Sequence, residues 1–147
     1  MTARTSAGTQ IAIGAAPATY NEAGFVAVSF DQIGEVTDAG EYGKVYNLVT
    51  HNPLADRQTQ KYKGSYNNGS ITLQLAIDEL DVGQIAATVA LDSDDSYSIK
   101  VTKQNGAIDY FTAQVMSFTT SVGSVDSIES GSIQLELDND VVKVAAP

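Results

Sequence analysis

The sequence predicts a mainly β domain, a β-sandwich or barrel with one flanking helix at about residues 78–90 and a long extended hairpin at about residues 42–63. Three observations predict it. Ile71, Leu73, Leu75 and Ile77 alternate strictly with Thr72, Gln74 and Ala76, the period of a half-buried strand. Val82, Ile85, Ala86, Val89 and Ala90 then recur at helical spacing, which predicts an amphipathic helix with that stripe against the core. Almost everywhere else, short runs of strand composition are separated by turn residues, with Asn-Gly at 68–69 and 105–106.

In chain order, residues 1–8 are small and polar and form a flexible arm. Gln10–Ile13 is a short strand that Pro17 cannot continue. Phe25–Phe30 is predicted as a strand with apolar residues on both faces, hence buried on both sides or at an interface. Residues 42–51 have strand composition with neither face cleanly apolar, Asn52-Pro53 is a turn, and residues 57–63 are polar on both faces. A hairpin this polar is marginal in water by itself, so it is either mobile or ordered against another subunit.

Asn67-Asn68-Gly69 turns the chain into the Ile71–Ile77 strand, and Asp78 is placed to cap the helix, with Glu79 and Asp81 in its first turn. Tyr97–Val101 and residues 107–120 form a hairpin about Asn105-Gly106. The second of these strands changes phase between Val115 and Met116, which predicts a bulge or a passage between sheets. Ile133, Leu135 and Leu137 alternate in a further strand, and residues 141–147 form a short last strand or arm.

At 147 residues the chain fits one domain, 1–147, burying roughly 70% of its unfolded surface. Eight basic residues against 18 acidic ones leave a net charge of −10, which repels duplex DNA. Without cysteine there are no disulfides or thiolate metal sites. The broken apolar run at Ile11–Pro17 is too short for a signal peptide and nothing resembles a membrane span, so the expectation is a soluble protein made in a cytoplasm.

No constellation carries catalysis, a cofactor or a metal. One histidine, His51, excludes multi-histidine sites. Asp92-x-Asp94-x-Ser96 begins like a calcium loop but has Tyr97 where the turn glycine belongs and Lys103 where the bidentate glutamate belongs. Glu136 and Asp138 share a strand face, an ordinary place for surface acids and a poor basis for paired-carboxylate hydrolysis. The charge feature that stands out is Arg57, Lys61 and Lys63 on one side of a strand in an acidic chain. Its simplest partner is an acidic patch on a neighbouring copy, Asp78–Asp81 or Asp92–Asp95.

The order of elements resembles a known family. A loose arm, a strand and a long polar hairpin lead into Lys63-Gly-Ser-Tyr-Asn-Asn-Gly-Ser70. The Ile71–Ile77 strand, the helix, a hairpin and a closing Ser130-Gly-Ser-Ile-Gln-Leu-Glu-Leu137 strand follow. Over Thr9–Val144 this arrangement resembles the tail tube, or major tail, proteins of long-tailed bacteriophages and gene transfer agents.

The resemblance implies hexameric rings stacked into a virion tail tube, assembled in the host cytoplasm. It implies tape measure, tail terminator and distal tail proteins as further partners, and DNA passing through an acidic lumen without being held. Residues 42–63 would match the family's long loop, which makes Tyr42, Tyr46, Leu48, Leu54, Arg57, Lys61 and Lys63 candidate contacts between subunits or rings. Parts of 42–51, 57–63 and 107–120 are expected to face the lumen, where the acids should concentrate, while the basic face of Arg57, Lys61 and Lys63 is expected at a subunit interface. The competing reading is a monomeric β-sandwich binding module, an adhesin or carbohydrate-binding domain, with Tyr20, Tyr42, Tyr46 and Tyr62 as its platform.

Overall fold

The computed structural model describes residues 3–146; Met1, Thr2 and Pro147, at the ends of the two expected arms, lie outside the described residues. The elements run β1 (Gln10–Gly14), α1 (Glu22–Val26), β2 (Phe30–Ile33), β3 (Val36–Asp38), β4 (Val45–His51), β5 (Gln60–Asn67) and β6 (Ser70–Ala76). They continue with α2 (Val82–Leu91), β7 (Tyr97–Thr102), β8 (Ile108–Ser121), β9 (Ser130–Leu137) and β10 (Val142–Val144).

Eight strands form one antiparallel sheet in the order β2-β1-β7-β8-β9-β6-β3, with β10 also paired to β8. The two ends of this path, β2 and β3, are consecutive in the chain and joined only by Gly34 and Glu35. Three Cα steps span at most about 11 Å. The sheet therefore has to curl round on itself like a barrel, with its inward faces forming a single core.

That core is where the alternating patterns meet. On β6 and β9, Ile71 lies opposite Leu135 and Leu73 opposite Ile133, all essentially without solvent exposure. Ile11 and Ile13 of β1 meet Val101 and Ile99 of β7 in the same way. The bulge predicted in β8 is present between Val115 and Ser117 and carries the strand from β7 at its start to β9 at its end. Both Asn-Gly turns form, with Gly69 at φ 84 and Gly106 at φ 92, left-handed conformations that favour glycine.

Two predictions fail locally. Phe25–Phe30 is not a strand: Asn21 accepts a hydrogen bond from the Gly24 N–H and starts the short helix α1. Phe25 then stacks on Tyr110 at 5.1 Å between ring centroids, so a buried aromatic contact wins over β-propensity. The second helix begins later than expected, because Asp81 rather than Asp78 caps it, accepting from the Gln84 N–H. Asp78 instead accepts from the Leu80 N–H in the turn before the helix.

The orientation of α2 is also a correction. Of the expected stripe, Ala90 is buried and Ala86 packs against the core, but Val82, Ile85 and Val89 are exposed, and the inward side is completed by Gly83, Gln84 and Ala87. The cause is close approach. A Cβ on Gly83 would lie 2.2 Å from the Gln32 carbonyl oxygen, so only the small-residue side of the helix fits against the β2–β3 link. Gln84 completes the join by accepting from the Asp78 N–H and donating to the carbonyls of Gly34 and Ala76.

Candidate assembly surface

Among the described residues the β4–β5 hairpin pairs only with itself, apart from the main sheet. Every residue of β4 is exposed, and no hairpin residue joins the core cluster. Its side chains nevertheless include Val45, Tyr46, Leu48, Val49, Tyr62 and Tyr66, and Leu54 at the tip is fully exposed. So much unpartnered apolar surface on a two-stranded ribbon is the mark of an interaction surface.

Cross-strand register sorts these side chains onto two faces. Tyr46 pairs with Tyr66, Leu48 with Lys63 and Thr50 with Lys61 on one face. Val49 pairs with Tyr62 and His51 with Gln60 on the other. Between Tyr46 and Leu48 the register shifts, because Gly64 and Ser65 together oppose Asn47. Without that extra residue Lys63 and Tyr66 would point to opposite sides. With it, Lys63 places its Nζ 4.8 Å from the Tyr46 ring centroid, and Lys44 covers Tyr66 at 4.4 Å.

The Tyr46 and Tyr66 rings lie 5.2 Å apart at 50°. This face is thus an aromatic pair and a leucine set among three lysines. Exposed cation–π contacts are worth about 0.5–1 kcal/mol each, enough to hold the lysines beside the rings.

A second exposed apolar surface lies on α2, where Val82 and Val89 are 60% and 61% exposed and Ile85 49%. Ile85 also borders a shallow groove of about 420 Å³ between α2 and the second half of β8. Ile77, Ile85 and Phe118 contribute its apolar floor, and Asp78, Glu79 and Glu129 its rim.

No known family's sequence profile matches the chain, and no curated relative does. Solved structures do. A chain of the anti-feeding prophage baseplate is 9% identical with a TM-score of 0.75, covering 99% of this chain and 98% of that one. A chain in the C6-symmetric tail of an empty gene transfer agent particle is 14% identical with a TM-score of 0.71, covering 97% and 100%. The SPP1 tail tube protein is 15% identical with a TM-score of 0.63, covering 92% and 75%. The chain has the tail-tube fold.

Within this tail-tube fold, six of the seven candidate contact residues lie on the hairpin or its tip. Tyr46, Leu48, Lys61 and Lys63 share one face, and Leu54 and Arg57 lie in the connecting tip. Tyr42 falls outside the ribbon, since β4 starts at Val45. It is half-buried against Phe111, and its hydroxyl donates to the buried carboxylate of Asp109. Lys103 completes that cluster with its Nζ 3.0 Å from Asp109. Burial, and secondly the hydrogen bond to the Asp109 carboxylate, push the Tyr42 pKa well above the usual phenol range.

Tyr20 is likewise occupied, donating to the Asp140 carbonyl and packing edge-on against Phe25. Of the four tyrosines expected as a binding platform, only Tyr46 and Tyr62 are exposed, joined by Tyr66, which the sequence reading missed. Its signal was present in the Asn67-Asn68-Gly69 turn, which extends β5 through Tyr66 to Asn67.

The expected placement of acids needs correction too. Residues 42–51 and 57–63 contain no acid, and the one acid in 107–120, Asp109, is buried beside Lys103. Asp138, the strand acid considered for catalysis, accepts from Ser96 and from Thr112 at 2.5 Å, which makes it a structural tie. No helix among the described residues is long and apolar enough to cross a membrane.

Proposed function

We propose that this chain is a structural, non-enzymatic subunit that assembles with copies of itself into stacked hexameric rings, the tube of a virion tail through which DNA passes. The observation that carries this reading is the exposed β4–β5 hairpin on a tail-tube fold. Its tyrosines and leucines stay exposed outside the core cluster, and packing against a neighbouring copy would bury them. Self-association would also cover the outer edges of β4 and β5, which otherwise invite uncontrolled pairing.

Tyr46, Leu48, Leu54, Arg57, Lys61 and Lys63 are the proposed contacts, and residues 1–147 act as one unit. Tape measure, tail terminator and distal tail proteins are the further partners. A net charge of −10 suits a wall that DNA crosses without being held, because phosphate is repelled rather than gripped. Limited proteolysis tests the reading. The tip between β4 and β5 is cut readily in the dilute subunit and protected at assembling concentrations. Equal cutting under both conditions contradicts it.

A further inference from the structure

We propose that the groove between α2 and β8 is the seat for the lysine face of a second copy's β4–β5 hairpin. This rests on the self-assembly reading above and specifies the surface that receives the hairpin. The groove has an apolar floor at Ile77, Ile85 and Phe118 and an acidic rim at Asp78, Glu79 and Glu129. Neither of the two ion pairs found among the described residues, Lys44–Asp140 and Lys103–Asp109, uses a rim carboxylate. Between Gly64 and Ile99 the chain has six acids and no lysine or arginine, so its own neighbourhood supplies no cation.

The hairpin is the complement. Leu48 stands directly across from Lys63 with Lys61 one position along, an aliphatic knob flanked by cations. Residues 44–66 hold four basic residues against a single acid, Asp56, in a chain where acids outnumber bases by more than two to one. The chain thus concentrates basic residues on one exposed apolar surface and acids on another.

Leu48 and Ile85 are both exposed, so the two surfaces do not meet within one chain. A hairpin of one copy seated in the groove of the next is a head-to-tail contact, the kind that generates rings or filaments. Burial of Leu48 on the floor drives the association, while the exposed ion pairs mainly set orientation and encounter rate.

The absence of cysteine makes disulfide mapping direct. Leu48→Cys and Ile85→Cys subunits, mixed under assembling conditions and oxidised, give a cross-linked dimer. Leu48→Cys mixed with Val26→Cys, an exposed control position, does not. In parallel, Lys61→Glu with Lys63→Glu raises the concentration needed for assembly about tenfold, as does Glu79→Lys with Glu129→Lys, because each set replaces attraction by repulsion. All four changes in one chain return it to within about twofold of the unmodified protein. Circular dichroism confirms that each variant is folded.

Absence of the 48–85 cross-link from assemblies, or failure of the four changes together to restore assembly, overturns the seat and leaves self-assembly standing. If the unmodified protein forms no oligomer at any concentration, self-assembly falls and the seat falls with it.

Discussion

Gln84 donates from its side-chain amide to the carbonyl of Gly34 at 3.2 Å, tying the second helix to the two-residue link where the sheet closes on itself. The same link is held a second time, since the Gly34 N–H donates to Asp81, the residue that caps the helix. One helical turn thus organises both the helix start and the meeting of β2 with β3. Gln84 also satisfies the Asp78 N–H and the Ala76 carbonyl. Replacing it by Ala leaves these groups with no side-chain partner, and Gln84→Ala is expected to cost about 3 kcal/mol. A urea titration checks this through the midpoint, with the slope unchanged.

Gly83→Ala sets two effects against each other. Alanine is the better helix former by about 1 kcal/mol. Its Cβ, however, would lie 2.2 Å from a backbone oxygen of β2, which cannot move aside like a flexible side chain. The clash wins, and a net loss of about 2 kcal/mol is expected. Thermal unfolding compared with an alanine substitution at exposed Thr88 measures it.

The hairpin should separate folding from assembly. Leu48 and Leu54 are exposed, so Leu48→Ala and Leu54→Ala change folding stability by no more than about 0.5 kcal/mol. The same substitutions raise the concentration at which oligomers form. Denaturation of the dilute subunit and sedimentation of concentrated protein give the two numbers independently.

Tyr42 gives a pH dependence whose sign follows from its raised pKa. The unfolded phenol titrates near 10.0, whereas the folded one keeps its proton to higher pH. Above pH 10 the folded state therefore binds more protons than the unfolded state, and stability falls as pH rises; below pH 10 the contribution is fully present. Burial also raises Tyr20 and Tyr110, which add to the same alkaline loss. In Tyr42→Phe the fall above pH 10 becomes shallower, while stability at neutral pH drops by about 1 kcal/mol as the hydroxyl–carboxylate bond is lost. Urea midpoints across the alkaline range resolve both effects.

Much of the fold was legible because strand alternation depends on only one periodicity. Ile71–Leu75, Ile133–Leu137 and the phase change in β8 fall where the pattern places them, while Ile77 lies just past the end of β6. The face of α2 was legible only in Ala86 and Ala90. Hydrophobic spacing assumes that the largest apolar residues point inward, but here Gly83, Ala87 and Ala90 do so because the helix lies close against backbone. Phe25 misled in the opposite way, its tertiary stacking on Tyr110 overriding strand propensity. At the candidate surface, the basic residues and the hairpin showed in sequence. The bulge at Gly64-Ser65, which brings Lys63 beside the tyrosines, depends on register and could not be counted from spacing alone.

Negative-stain electron microscopy of the purified protein over a wide concentration range tests self-assembly most directly. Rings or tubes of uniform bore are the predicted result. A particle that stays monomeric at every concentration would contradict the account.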